Sequence, residues 1–445
     1  MSADGLRKAI DDRSACVGVI GCGYVGLPLA VGFAKAGYGV IAVDVDAERV
    51  RKLQAGESYI QDVPSEALAA QVKARRFTAT TDYGALRDVH VIFVAVPTPF
   101  DRAKQPDLTY IISAAESIAG VLQKGQLVVL ESTTYPGTTD EVMRPILERS
   151  GLKAGTDFYL AFSPERIDPG NKTFGIENTP KVVGGIDPES TALAAAALQQ
   201  ITKGRIHTVS SARVAELTKL LENTFRAVNI ALVNELAMLC DRMGIDIWEV
   251  IDAAATKPYG FMPFYPGPGV GGHCIPVDPY YLAWKAREYD FHTKFIELAA
   301  ETNLGMPFFT VGRIRKQLND AGRSLRGSRV LVLGAAFKRD IDDARESPAI
   351  RVMEILMSEG ALVEYHDPFV PVVSLNASLF ANDRNHVTLR SVSLEGERLR
   401  KADCVLILVA HTQIDYTLVL GEAVRVFDAV NATEGKKGRG EIERL

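Results

Sequence analysis

Between Cys16 and Asp44 the chain leaves few folds open. Cys16-Val-Gly-Val-Ile20 is a short, uncharged, β-branched run that suits a strand buried on both faces. Gly21-Cys-Gly23-Tyr-Val-Gly26 follows as a G-x-G-x-x-G turn. Leu27 to Ala36 then has the pattern of a helix, Gly37 ends it, and Tyr38 to Val43 forms a second strand with Asp44 at its end. Strand, glycine turn, helix, strand and acid, in that order, predict a doubly wound α/β domain that binds a dinucleotide. Gly21 permits the tight turn, Gly23 lets a pyrophosphate approach the backbone, and Gly26 lets the helix pack close to the sheet. The helix N-terminus turns its N–H groups toward the phosphates. Asp44 can accept both ribose hydroxyls and repels a 2′-phosphate, which favours NAD over NADP; Arg49, one turn on, argues the other way. A purely structural glycine turn is the bland alternative.

The same residues could mislead. Ser14 to Ala34 carries no charge and is long enough to cross a bilayer, and Lys8 and Arg13 upstream imitate the start of a leader. Its glycines, Pro28 and the low Leu/Ile density argue against a span, and no membrane association is expected. A chain of 445 residues suggests roughly two to three domains. Lys+Arg 50 against Asp+Glu 55 leaves a net charge of −5, with no general basic surface for nucleic acid. The cysteines, at 16, 22, 240, 274 and 404, are few, odd in number and scattered. That disfavours a disulfide scaffold, points to a reducing compartment such as the cytoplasm, and leaves no metal-ligand spacing. It also raises the question of whether one of the five does chemistry.

Further strands are expected at Val89–Val96, closed by Pro97-Thr98-Pro99, and at Gln126–Leu130, followed by Glu131-Ser132-Thr133-Thr134. Tyr159–Phe162 leads into Ser163-Pro164-Glu165-Arg166. Loops at the carboxyl ends of parallel strands are where such sheets hold ligands, although Ser and Thr there also cap helices and a Glu-Arg pair is often a surface ion pair. From Ser211 to Met243, Val214, Leu217, Leu221, Phe225, Val228, Leu232, Leu236 and Leu239 recur every three or four residues, which predicts a long amphipathic helix serving as a spine or a subunit interface. Lys219 and Asn223 share one face of it; a lysine beside an apolar stripe is commonly a snorkelling stem. Phe261 to Pro279 is too rich in Gly and Pro for a helix or central strand, yet nearly uncharged and aromatic. Within it, Cys274 lies between a glycine run and Pro276, with Asp278 four residues on. The glycines would clear space for a substrate around a thiol; a buried inert cysteine is the alternative, and a zinc site through His273 and Cys274 lacks further ligands.

Arg329 to Gly334, a helix at Pro348–Ser358, and strands at Ala361–Tyr365, Cys404–Val409 and Val424–Phe427, the last closing the sheet, repeat the α/β architecture. Gly334-Ala-Ala-Phe337 has lost the G-x-G, so a second dinucleotide site is not expected. Lys338 and Arg345 lie in a polar loop that either meets a phosphorylated ligand or is simply solvated.

The stretches GVIGCGYVGLPLA, VPTP, ESTTYPGTT, SPERIDPG, AELTKLLENTFRAVNIALVNE, GPGVGGHCIPVDP and AFKRDIDDARES together resemble the UDP-glucose/GDP-mannose dehydrogenases, from about Ser14 to Thr433. The Glu165-Arg166 loop and the Cys274 block resemble the branch acting on UDP-N-acetylhexosamines, most of all the bacterial enzymes that oxidise UDP-N-acetylglucosamine at C6 for surface polysaccharide. The resemblance implies two Rossmann-like doubly wound domains joined by a long central helix, with an NAD domain over 14–205, a central helical domain over 206–310 and a UDP-sugar domain over 322–445. It implies oxidation of a primary alcohol to a carboxylate with two NAD+ consumed, through a thiohemiacetal and thioester on Cys274. Lys219 and Asn223 would stabilise oxyanions, Asp278 would position or activate water, Glu165 would serve thioester hydrolysis, and Thr133 would lie near the nicotinamide and that water. Gly21, Gly23, Tyr24, Val25, Gly26, Asp44, Arg49, Pro97, Thr98, Ser132, Thr133 and Arg345 would contact the cofactor. Glu165, Arg166, Lys219, Asn223, Tyr265, Gly271 and Lys338 would contact the sugar nucleotide, with Arg166 sensing the N-acetylhexosamine. A homodimer or larger homo-oligomer built on the long helix is implied as well. Cys22, inside the glycine turn, is open to oxidation unless it is only a tolerated small residue. UDP-N-acetylmannosamine, UDP-N-acetylgalactosamine and UDP-glucose remain alternative substrates. A two-electron hydroxyacid dehydrogenase and a non-catalytic NAD sensor are the remoter readings.

Overall fold

Long apolar runs in this chain become interior parallel strands because each such strand feeds two cores at once. The structure, a computed structural model, describes residues 1–60, 62–101, 105–168, 171, 173–272, 274–376 and 386–445. They divide into two compact units, Met1–Glu222 with Tyr280–Phe291, and Asn223–Pro279 with His292–Leu445.

The first unit holds eight strands: β1 Cys16–Ile20, β2 Gly39–Val43, β3 Phe77–Thr80, β4 Val91–Val94, β5 Leu127–Leu130, β6 Tyr159–Phe162, β7 Lys181–Gly185 and β8 Ile206–Thr208. Their order is β3-β2-β1-β4-β5-β6-β7-β8, parallel except where β7 meets β6. In β4 and β5, Val91, Phe93, Leu127 and Val129 enter one core while Ile92, Val94, Val128 and Leu130 enter the other. Both faces are covered, so no polar alternation shows in the sequence. The uncharged stretch at 14–34 is β1, the turn and the helix Gly26–Ala36, which Gly37 ends in the left-handed conformation. Among the described residues no helix is long and apolar enough to cross a membrane.

The helix Ala212–Met243 begins in the first unit and ends in the second. In the second unit β9 Arg329–Leu333, β10 Leu362–His366, β13 Cys404–Ile407, β14 Arg425–Asp428 and β15 Glu441–Arg444 form a parallel sheet ordered β10-β9-β13-β14-β15, beside a hairpin of β11 Val372–Asn376 and β12 His386–Arg390. The strand expected to close this sheet, β14, is interior: β15 pairs outside it in register from Arg425 with Glu441. The alternating charges of Glu441-Ile-Glu-Arg444 suit an edge and hide a strand from any search for apolar runs. The helix Lys294–Asp320 carries Pro307 inside it, a residue that argues against a helix when only the sequence is seen.

The two units contain equivalent turns. β10 ends at Asp367 as β2 ends at Asp44, and Gly334 (φ 91°) is left-handed as Gly21 (φ 86°) is. Asp367, however, is saturated. Ala335 N (2.7 Å), Ala336 N (3.0 Å) and His411 Nε2 (3.0 Å) donate to its Oδ2, and Phe369 N (2.8 Å) and Val370 N (2.9 Å) to its Oδ1. His411 Nδ1 accepts from Asp340 N at 2.9 Å, which fixes the tautomer with its proton on Nε2. Burial works to raise the Asp367 pKa, but His411 and the N–H donors outweigh it and bring it to about 2. The absence of the second G-x-G therefore goes with a loss of free acceptor capacity at the acid.

Candidate functional site

In the first unit the glycine turn is built as a phosphate cradle. A Cβ on Gly21 would lie 2.4 Å from Ala95 O, while one on Gly23 would meet nothing within 4 Å. A Cβ on Gly26 would lie 1.8 Å from Gly21 O and 3.3 Å from Ala95 Cβ, so this glycine is demanded by its own turn even more than by the sheet. The helix Gly26–Ala36 has no capping side chain and no acid in its first turn, which leaves its N-terminus to an anionic ligand. Asp44 accepts Cys22 N at 2.8 Å and Asp46 N at 3.0 Å. A carboxylate takes about four donors, so capacity for ribose hydroxyls remains. Arg49 stands 3.7 Å from Asp44 and over the Tyr59 ring. Cys22 is fully buried, and burial together with the Asp44 charge pushes its thiol up, so it is not a site of easy oxidation. Tyr24 is partly exposed, as is Val25.

The loops at the ends of β4, β5 and β6 are tied together. Ser132 is buried, accepting Val96 N at 2.9 Å and donating to Val96 O at 2.8 Å. Tyr281, which the sequence did not single out, donates to the carbonyls of Thr98 and Pro99 beside exposed Pro97. Thr133 is half-buried. Glu216, also missed, receives Gly137 N, Thr139 N and Thr139 Oγ1, fastening this loop to the long helix; burial pushes it up to about 7. Glu165 accepts Arg166 N at 2.6 Å and Ile167 N at 2.7 Å on one oxygen and Lys181 Nζ at 2.9 Å on the other. Burial favours its acid form, but Lys181 and these donors outweigh it and hold the carboxyl below its usual range. Lys219 Nζ donates to the Glu165 carbonyl at 2.6 Å and the side chain is buried, so it is not a snorkelling stem. Arg166 binds Glu222 (2.6 Å) and Pro180 O (2.8 Å), which fastens its loop to the long helix. Pro169 and Gly170 of this loop lie outside the described residues.

In the second unit Asn223 Nδ2 donates to Asp278 Oδ2, and both are buried. Cys274 is exposed, and its carbonyl accepts Val277 N (3.1 Å) and Asp278 N (2.8 Å) in the turn that starts the helix Asp278–Ala286. Of the remaining cysteines, Cys22, Cys240 and Cys404 are buried and Cys16 is half-buried. His273 lies outside the described residues, and among these no group of three or more His, Cys, Asp or Glu could hold a metal. The glycines before the thiol do not chiefly clear room for a substrate. A Cβ on Gly271 would lie 2.8 Å from both Phe337 Cβ and Pro348 Cδ, and one on Gly272 2.9 Å from the Phe337 ring; they are glycine because the loop packs there. Asn234 accepts Gly267 N at 3.0 Å, supplying one partner the irregular backbone needs. Tyr265 stacks on Trp248 and donates to Asp252 at 3.2 Å, lining a cleft of about 390 Å³. The Lys338–Ser347 loop is braced at Asp340 and Asp343, while Arg339, Asp342, Arg345 and Glu346 stay exposed. Asp340, left-handed at φ 59°, accepts Thr412 N (2.8 Å) and Thr412 Oγ1 (3.0 Å), and Arg345 pairs with Asp343 at 2.6 Å. Lys338 is half-buried.

Both the sequence and the fold of this chain have counterparts. The NAD binding domain of the UDP-glucose/GDP-mannose dehydrogenase family matches residues 15–202, its central domain 213–304 and its UDP binding domain 331–435. The chain is 42% identical to the UDP-N-acetyl-D-glucosamine 6-dehydrogenase of Pseudomonas aeruginosa over 80% of this chain and 83% of that one. To the enzyme of that name from Salmonella typhi it is 39% identical over 80% and 82%. The solved structure of the UDP-N-acetyl-D-mannosamine dehydrogenase of Pyrococcus horikoshii superposes with a TM-score of 0.86 at 30% identity, covering 97% of this chain and 99% of that one. Matched in all three domains, the chain belongs to the UDP-glucose/GDP-mannose dehydrogenase family, oxidoreductases of nucleotide sugars that use NAD.

Proposed function

We propose that the chain oxidises the C6 hydroxyl of UDP-N-acetyl-D-glucosamine to the carboxylate, a four-electron conversion that supplies an acidic sugar for bacterial surface polysaccharide. The observation that carries the reading is the exposed thiol of Cys274 at the start of a helix whose first residue, Asp278, is held by Asn223. NAD, when bound, supplies the hydride acceptor. An aldehyde has no further hydride to give until a nucleophile adds to it. The Cys274 thiolate forms the C–S bond, the carbonyl electron pair moves to oxygen, and the resulting thiohemiacetal carries the second hydride. Its oxidation leaves a thioester that water cleaves. Asp278 positions that water, and the Asn223 amide fixes the carboxylate's orientation. Lys219 keeps two N–H bonds beyond the one given to Glu165 O, and these suit an oxyanion. Glu165 and Thr133 are assigned to the hydrolytic end of the cycle.

The test is to offer the purified chain NAD+ and a panel of UDP-sugars, counting NADH per sugar and identifying the acid. UDP-N-acetyl-D-glucosamine should give two NADH and the uronic acid. One NADH per sugar would instead favour two-electron chemistry, and a clear preference for a C2 or C4 epimer would move the substrate assignment.

The reading includes a homodimer. The apolar stripe of the long helix is exposed: Leu217 is 44%, Leu221 64%, Phe225 46%, Leu232 55% and Leu239 49% accessible. A stripe of this size on a folded chain calls for a cover, and a second copy of the same helix offers a matching face. Leu232→Glu should shift the chain from dimer to monomer in light scattering; an unchanged mass would remove the helix from the interface.

A further inference from the structure

Three buried charged groups in the first unit do not balance. Glu131 is 1% exposed, Lys181 1% and Glu165 7%. Lys181 Nζ bonds Glu165 at 2.9 Å, and neither carboxylate oxygen of Glu131 has a hydrogen-bond partner among the described residues. Lys181 is the strongest opposing charge on both acids, while Arg166 is paired with Glu222. A buried carboxylate that no donor reaches is costly in its charged form, and the least costly remedy is a proton.

We infer that Glu131 holds a proton while Glu165 stays ionised on Lys181, which makes Glu131 the positioning residue that sets the charge around Glu165. The inference rests on the proposed function for its link to turnover. When hydrolytic water gives a proton to Glu165, Glu131 releases its own to solvent; the cluster keeps one proton and no net charge. Glu165 thus serves as base without adding charge to a buried site. Burial first, and the Glu165 charge with it, push Glu131 up to about 7 against the pull of Lys181, so its proton titrates close to neutral pH.

The proton can be seen without substrate or cofactor. In infrared difference spectra of the full chain between about pH 6 and about pH 9, a protonated carboxyl band is expected from Glu131, with a second contribution from Glu216. Glu131→Gln, which keeps the shape and has no hydrogen bond to lose, should remove about half of that band. In turnover of whichever UDP-sugar yields NADH, the wild-type kcat profile should inflect near neutral pH, and the variant should lose that inflexion with its KM for NAD unmoved. A group whose folded pKa is raised from 4.5 to about 7 stabilises the fold at acid pH and ceases to do so as pH rises through 7. The variant should therefore melt a few degrees higher than wild type at about pH 8.5 and together with it at about pH 4.5. An unchanged infrared band would overturn the proton on Glu131. Superimposable kcat profiles would overturn the role in turnover. A chain that shows the band but oxidises no UDP-sugar would sink the proposed function and leave the proton standing.

Discussion

Cys274→Ala is expected to end net acid formation, lowering kcat by at least about 10³-fold, while the chain stays folded and still binds NAD. The size follows from the chemistry. In the proposed reaction the first oxidation yields an aldehyde, and without a nucleophile no second hydride becomes available; the reaction stops there and runs backward as readily as forward. The thiol is exposed, so trimming it to alanine opens no cavity in a core. Cys274→Ser should be nearly as inactive, since a neutral hydroxyl is a poor nucleophile and the oxygen ester it could form would turn over slowly. Mass spectrometry should then find sugar attached to the serine variant and never to the alanine one. An alanine variant that still delivered two NADH per sugar would move the covalent chemistry elsewhere.

Gly26→Ala should abolish NAD binding, weakening it by more than about 10²-fold, and destabilise the first unit. Its Cβ would fall 1.8 Å from Gly21 O, a backbone atom that no rotamer change can move aside. Gly21 cannot retreat, because it is left-handed and the place its own Cβ would take is 2.4 Å from Ala95 O. The turn must open, and the helix N-terminus leaves the phosphate. Gly23→Ala makes the informative companion. A Cβ there meets nothing within 4 Å, so the fold should hold while the pyrophosphate loses its close approach. Calorimetry on the pair separates the two roles: one glycine lost to folding and binding, the other to binding alone. Wild-type NAD affinity in Gly26→Ala would refute the cradle geometry.

What could be read in advance follows from where the information sits. The β1 turn, the helix Ala212–Met243 and the helix Pro348–Ser358 were legible because their signals are local, in periodicity, glycine spacing and caps. The hairpin β11–β12 and the edge strand β15 were not, all three being short and β15 charged, and the helix carrying Pro307 contradicts its own propensity. At the site, Cys274 stood out by its company. Lys181 and Glu216 did not, since their partners lie 16 and 77 positions away and a lone Lys or Glu carries no mark of burial. Glu131 was visible only as the first letter of a loop; its isolation from donors is a property of the folded core.

The saturated Asp367 has a consequence for anyone who would graft a new ligand onto the second sheet. Restoring the missing glycines would rebuild only the outline of a nucleotide pocket, because the acid that would greet a ribose already receives five donors from the protein. His411 is the only side chain among the five, so freeing any capacity by substitution means removing it, and His411 also holds Asp340 at the start of the Lys338–Ser347 loop. Redesigners would thus meet an acid turned keystone: reclaiming it for binding loosens the arch that carries Lys338 and Arg345.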